Sequence, residues 1–309
     1  MKKKCAVFSC LGLGDGLISL VLAHNLSLNG YEVVAFHPFL NQLQSWFPLL
    51  KIREFPNRDQ MPSVLAEFDH FYIFLEKSEW MKEILTYCET HYAEKTTVLN
   101  PIATSNADYS YWENGCFNGS RPFVDNLETF CRDILKLSHV VKNNGIQVPN
   151  DVIPHRYPSR IVIHPTSSRA GKNWPLKKYL ELSDRLRNAG YEPVLLVTSE
   201  EKKTFQLQCE TPELPSLEDR AVFISESGYM IGNDSGVGHL ASCLGLPTLT
   251  ICRSKQLAHF WRPAWSKGKV VTPSSFVPNL KGIRIRDKYW KNWIPVSTVE
   301  KAFLESCSV

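Results

Sequence analysis

The sequence has no C-x-x-C pair among its nine cysteines, no run of 18 uncharged apolar residues, and no large excess of either charge. Each absence removes a class of protein. The cysteines (Cys5, Cys10, Cys88, Cys116, Cys131, Cys209, Cys243, Cys252 and Cys307) are odd in number, and several sit in apolar runs. They read as reduced thiols in a cytoplasmic setting, neither a zinc site nor a disulfide framework. Without a long apolar run there is no membrane span. A net charge of +4 is too small to argue for nucleic acid. Lys2, Lys3 and Lys4 precede an apolar stretch, as in a secretory signal. Gly12, Gly14, Asp15 and Gly16 interrupt it, which fits a strand-to-loop junction better.

What is present is a chain 43% hydrophobic, long enough at 309 residues for two ordinary domains. Its first half alternates short β-branched or aromatic runs with helical patterns. Residues 5–9, 31–36, 49–55, 71–75 and 98–99 read as strands. Residues 17–28, 41–47, 81–92 and 128–137 read as helices. Residues 104–122, rich in Asn, Ser, Tyr and Gly, read as a long functional loop. Residues 142–159 carry Pro149, Pro154 and Pro158 and read as a linker. The alternation then restarts, with strands at 160–164, 194–197, 229–232 and 249–252. A helix opened by Pro175 and closed by Gly190 follows the first of these. The expected fold is α/β, with two Rossmann-like domains facing each other across a cleft. They are assigned to 1–150 and 151–285, with a tail at 286–309 returning onto the first domain.

Three glycine- or hydroxyl-bearing segments follow strands and open helices, where open α/β sheets bind ligands. The first is Gly12-Leu13-Gly14-Asp15-Gly16. It reads as a tight turn, or as a substrate loop in which Asp15 is a general base, its charge favoured by the helix N-terminus. A dinucleotide fingerprint fits poorly, because Leu17 stands where the third glycine belongs and no acid ends the second strand. The second segment runs from His164 to Pro175 and contains Ser167, Ser168, Arg169 and Lys172. Hydroxyls and cations before a helix suit a phosphate, although the P-loop spacing is absent. The third is Asn233-Asp234-Ser235-Gly236, followed by His239-Leu240-Ala241. Its backbone N–H groups can receive a diphosphate. Asp234 can bind a sugar or ribose hydroxyl, or simply cap the helix. His239 alone reads equally as a structural histidine.

These elements, in this order, resemble glycosyltransferase family 9, the ADP-heptose:lipopolysaccharide heptosyltransferase family. The resemblance rests on Gly14-Asp15-Gly16, on Lys172-Asn173-Trp174-Pro175, and on Asp234-Ser235-Gly236 with His239-Leu240-Ala241. It implies the GT-B fold and inverting, metal-independent sugar transfer from a nucleotide diphosphate, an ADP-sugar being favoured. No cofactor or metal is then required, and the chain has no Asp-x-Asp for a metal-bridged mechanism. The resemblance makes Asp15 the catalytic base. It places Ser167, Ser168, Lys172, Asp234, Ser235, Gly236 and His239 on the donor, with Gly14 and Gly16 shaping the loop. The chain departs from the family at Gly16-Leu17-Ile18 and at Thr198-Ser199-Glu200-Glu201, where the family has a glycine-rich turn before an acid.

The implied partners are a nucleotide sugar and a lipopolysaccharide-type glycolipid, and no nucleic acid. Lys281, Arg284, Arg286, Lys288 and Lys291, with Trp290 and Trp293, form either a solvated face with aromatic anchors or a patch for an anionic lipid headgroup. The second places the protein peripherally on the inner membrane face. Two other functions suit the same pattern: a nucleotide-sugar epimerase and a non-catalytic nucleotide-sugar binding protein.

Overall fold

The computed structural model describes residues 2–100, 117–205, 211–277 and 285–307. Most of the 104–122 loop, Cys116, Cys209, Lys281 and Arg284 therefore lie outside the described residues. The chain forms two compact units, Met1–Gln147 and Val148–Val309.

The first unit is a parallel sheet of β1 (Lys4–Phe8), β2 (Glu32–Phe36), β3 (Lys51–Arg53), β4 (His70–Phe74) and β5 (Thr96–Leu99), in the order β3-β2-β1-β4-β5. Cys5 lies opposite Val33 on one side and His70 on the other. The central strand is thus wholly apolar after its first residue, as a strand covered on both faces requires. Helix α1 (Leu13–Leu28) is buried continuously from Gly16 to Leu26. Helix α2 (Met61–Leu65) is one short turn, with Pro62 near its start. Helix α3 (Glu79–Tyr92) buries Met81, Ile84, Leu85 and Cys88, a 3.6-residue stripe, and Ser78 caps it by accepting the Met81 N–H. Helix α4 (Phe123–Thr129) runs into a π-helical turn, Phe130–Ile134, so the expected 128–137 helix begins earlier and ends in irregular winding. Phe8 stacks on Phe36 with centroids 4.6 Å apart, at the heart of this core.

The second unit repeats the plan with β6 (Tyr157–His164), β7 (Glu192–Leu195), β8 (Ser227–Asn233), β9 (Thr248–Ile251) and β10 (Gly268–Val271), in the order β10-β9-β8-β6-β7. Its helices are α5 (Leu176–Asn188), α6 (Ser199–Thr204), α7 (Leu217–Ser225), α8 (Gly236–Cys243), α9 (Lys255–Trp261), α10 (Ile285–Lys288) and α11 (Val296–Cys307). Helix α5 turns Tyr179, Leu182, Ser183 and Leu186 to the sheet, and Gly190 (φ +88°) ends it in a conformation that favours glycine.

The sequence suggests a tail that crosses back onto the first half. Within the second unit, helix α11 is part of the core. Val296, Val299, Ala302 and Phe303 join the core of Ile161, Tyr179 and Leu249. Phe303 meets Tyr191 and Tyr229 edge-on, at 5.1 and 5.2 Å. An apolar face of that size is satisfied where it lies.

None of the described cysteines forms a disulfide. Among the described residues no helix is long and apolar enough to cross a membrane.

Candidate active-site loops

In each sheet the chain reverses direction of winding at one point, between β1 and β4 and between β6 and β8. The carboxyl ends of those strands are where such sheets hold ligands. The residues assigned from sequence to the base and the nucleotide sugar follow those strand ends, in two groups.

In the first unit the glycine segment is not a free loop. Helix α1 begins at Leu13, four residues before the expected start, and Gly16 N–H bonds the Gly12 carbonyl at 2.8 Å. Gly14, Asp15 and Gly16 therefore form the first helical turn, with Asp15 half-buried. A carboxylate there is stabilised by the unpaired N–H groups of the turn. The turn is shaped by close approach. A Cβ on Gly12 would lie 2.5 Å from Asp15 Oδ2, and one on Gly16 would lie 2.4 Å from the His37 ring.

His37 is a residue the sequence did not single out. It is 1% exposed. Its Nδ1 accepts the N–H groups of Phe39 and Leu40, both at 3.2 Å, so the proton sits on Nε2, which donates to the Gly12 carbonyl at 3.2 Å. Burial holds this imidazole neutral, pushed down to about 4. The ring fastens the turn that carries Asp15. A second carboxylate, Glu76, follows β4. Its Oε2 accepts the Leu11 N–H at 3.1 Å, and its Oε1 is buried without a hydrogen-bond partner. Burial first, then the charges of Asp15 and Glu76, push the Cys10 thiol upward. Cys10 is thus an inert wall of the site.

In the second unit Asn233, 2% exposed at the end of β8, is the hub. Its Oδ1 accepts the Trp174 N–H and the Tyr179 hydroxyl, each at 2.9 Å, and its Nδ2 donates to the Pro165 carbonyl at 2.7 Å. One side chain thus ties the segment after β6 to the turn after β8. Ser167 braces the loop internally, its hydroxyl 2.6 Å from Asn173 Oδ1 and 3.1 Å from the Arg169 carbonyl. Ser168 is exposed.

Lys172 Nζ lies 2.9 Å from Asp234 Oδ2. Asp234 therefore does not cap α8. Ser235 occupies the cap position, yet its hydroxyl makes no capping bond and is buried without a partner. His239, one turn on, is 5% exposed and its Nδ1 also lacks a partner. Burial pushes His239 down to about 4, opposed by the Asp234 charge and the Trp261 carbonyl. Two unsatisfied buried groups beside a cation at the open start of a helix, where Gly236 leaves the backbone uncovered, are the polar lining expected of a ligand site.

Past the end of β7, in the same unit, is a cavity of about 830 Å³ lined by Thr198, Ser199, Glu200, Lys202, Pro215 and Arg220. No glycine motif marks it in the sequence. Its rim is built by a capping box, in which Thr198 accepts the Glu201 N–H and Glu201 accepts the Thr198 N–H.

Residues 147–281 match the model of glycosyltransferase family 9 (heptosyltransferase), a span holding the Lys172 and Asp234 motifs and the cavity. Over this span the chain is similar to glycosyltransferase family 9. The whole chain superposes on solved structures of the same kind. A family 9 glycosyltransferase from Veillonella parvula gives a TM-score of 0.68 at 17% identity, covering 98% of this chain and 96% of that one. The Escherichia coli ADP-heptose lipopolysaccharide heptosyltransferase II gives 0.67 at 16%, covering 99% and 98%. The E. coli heptosyltransferase WaaC, solved with ADP, gives 0.63 at 15%, covering 98% and 99%. A search of curated proteins finds no match. These likenesses establish the GT-B fold for this family 9-like chain. Its Asp15 turn lies outside the span matched by the family model.

Proposed function

We propose that the protein is an inverting, metal-independent glycosyltransferase. In this reading it moves heptose or a related sugar from a nucleotide diphosphate, ADP favoured, to a lipopolysaccharide-type glycolipid. The observation that carries this is the Lys172–Asp234 pair beside the partnerless Ser235 hydroxyl and His239 Nδ1. A departing diphosphate accepts from the Ser235 hydroxyl and is stabilised by Lys172 and the start of α8 without a metal, while the Nδ1 of neutral His239, whose N–H is on the Trp261 carbonyl, accepts from a hydroxyl of the sugar or ribose. The nucleoside is assigned to the cavity past β7, whose volume suits a ligand of that size. Asp15 takes the proton of the acceptor hydroxyl. The oxygen then forms its bond to the anomeric carbon as the carbon–phosphate oxygen bond breaks, inverting the centre. The glycolipid would be met at the inner membrane face, with the exposed Lys288, Tyr289 and Trp293 offered to headgroups.

The test is incubation with ADP-, UDP-, GDP- and CMP-sugars, with and without a deacylated lipopolysaccharide core acceptor, followed by mass spectrometry. Transfer that is lost in Asp15→Asn while donor binding remains supports the proposal. Donor altered without acceptor would indicate an epimerase. Donor bound with no conversion would indicate a binding protein.

A further inference from the structure

The basic-aromatic tail has a use that does not involve lipid. We infer that Trp290 and Lys291 are positioning residues for Lys172, clamping its loop from behind; this rests on the reading of Lys172 as the diphosphate cation.

The loop and the tail grip each other in both directions. Trp290 Nε1 donates to the Gly171 carbonyl at 3.3 Å, and Lys291 Nζ to the Ala170 carbonyl at 3.1 Å. In return Trp174 Nε1 donates to the Ile294 carbonyl at 3.1 Å. Lys178 Nζ, from α5, donates to the carbonyls of Lys291 and Ile294 at 2.8 and 2.9 Å. The acceptors Ala170 and Gly171 immediately precede Lys172, in a single 3-10 turn, Ala170–Lys172, with no side-chain cap. Besides the Ser167 brace across its ends, the turn's own ties are two backbone bonds, Lys172 N–H to Arg169 and Asn173 N–H to Ala170. So short a turn has little intrinsic stability.

The tail supplies what the turn lacks. Trp290 is 3% exposed and Ile294 1%, both within the apolar core. A buried indole needs an acceptor for its N–H, and the core thereby fixes where Gly171 must lie. A Cβ on Gly171 would touch nothing within 4 Å. The outer side of the turn is therefore open, and the tail holds it through its carbonyls. Lys172 itself has a long and half-exposed side chain, whose freedom must be given up when it meets a phosphate. Fixing its backbone beforehand reduces that loss, which is preorganisation. Two of the residues expected to form a lipid-facing patch are thus committed to the loop.

The test combines Trp290→Phe, Lys291→Met and Lys291→Arg, each also in a Lys172→Met background. Hydrogen exchange read by mass spectrometry over residues 167–174 reports the clamp without any assumption about function. The expected result is faster exchange there in Trp290→Phe and Lys291→Met, with exchange elsewhere and the melting temperature little changed, and with Lys291→Arg restoring protection. ADP affinity, measured by calorimetry, should fall about 5–10-fold in the combined Trp290→Phe and Lys291→Met variant, on the order of one hydrogen bond's worth. It should fall no further in the Lys172→Met background. Unchanged exchange over 167–174 would overturn the inference, as would an affinity loss of equal size with and without Lys172. If the wild type binds no ADP, the reading of the donor site is what fails, and the exchange result alone decides the clamp.

Discussion

Lys172 Nζ and Asp234 Oδ2 stand 2.9 Å apart, joining the loop after β6 to the turn after β8. Their side chains are 46% and 21% exposed, so the pair contributes only about 0–1 kcal/mol to stability. Its importance is positional, because the cation is held beside the start of α8. Lys172→Ala is expected to leave the melting temperature nearly unchanged and to weaken donor binding about 30-fold or more, since a charge-assisted phosphate contact is worth roughly 2 kcal/mol. Calorimetry with ADP, alongside a thermal melt, checks both halves.

Asn233 should behave in the opposite way. Asn233→Ala leaves the Trp174 N–H, the Tyr179 hydroxyl and the Pro165 carbonyl without their partner in a buried site. The expected cost is about 3–5 kcal/mol, read as a lower urea midpoint. Asn233→Asp keeps the two accepted bonds and loses the donated one, and should fall between.

Much of this arrangement was legible in the sequence. The period of the apolar residues gave both sheets, and strand-end glycines, hydroxyls and cations marked both groups of site residues. The Lys172 and Asp234 motifs are brought into contact as their shared chemistry implied. What escaped was set by tertiary packing. Gly14-Asp15-Gly16 reads as loop because glycine is a poor helix former, yet close approach of His37 to Gly16 is what the helical turn accommodates. His37 itself carries no local signal, since the bond that gives it its role reaches the Gly12 carbonyl, 25 residues away in the chain. The cavity past β7 has a polar rim without a motif. For helix α11, a 3.6-residue stripe of apolar residues does not say which surface it covers.

Acid sensitivity follows from two histidines. His37 and His239 are both pushed by burial to about 4, from an ordinary value near 6.5. The unfolded chain therefore takes up these protons first. Stability is complete above pH 6.5, declines as pH falls from 6.5 toward 4, and changes no further below 4 on their account. Each contributes up to about 3 kcal/mol over that window. Urea titrations from pH 4 to 8 should show it. His37→Asn, which cannot titrate, should lose part of the slope while the carboxylate contribution stays common to both proteins.

The two glycines that shape the Asp15 turn separate stability from activity. At Gly16 a methyl group would meet the His37 ring at 2.4 Å and Leu40 Cδ1 at 2.8 Å, both on buried and hydrogen-bonded or packed side chains. Gly16→Ala must displace His37 from Gly12, and is expected to cost about 1–3 kcal/mol in urea unfolding. At Gly12 the methyl would meet the end of a half-buried side chain, Asp15 Oδ2 at 2.5 Å. That carboxylate can swing aside, so Gly12→Ala should change stability by less than about 1 kcal/mol. On the proposed mechanism, the movement takes Asp15 out of register with the proton it would abstract. Transfer should then fall about 100-fold, the scale of a misplaced general base. Donor affinity should stay unchanged, because Lys172 and α8 are untouched. Paired measurements of urea midpoint, kcat and donor Kd check the contrast. Equal losses of stability in the two variants, or a Gly12→Ala protein with full turnover, would remove Asp15 from the chemistry.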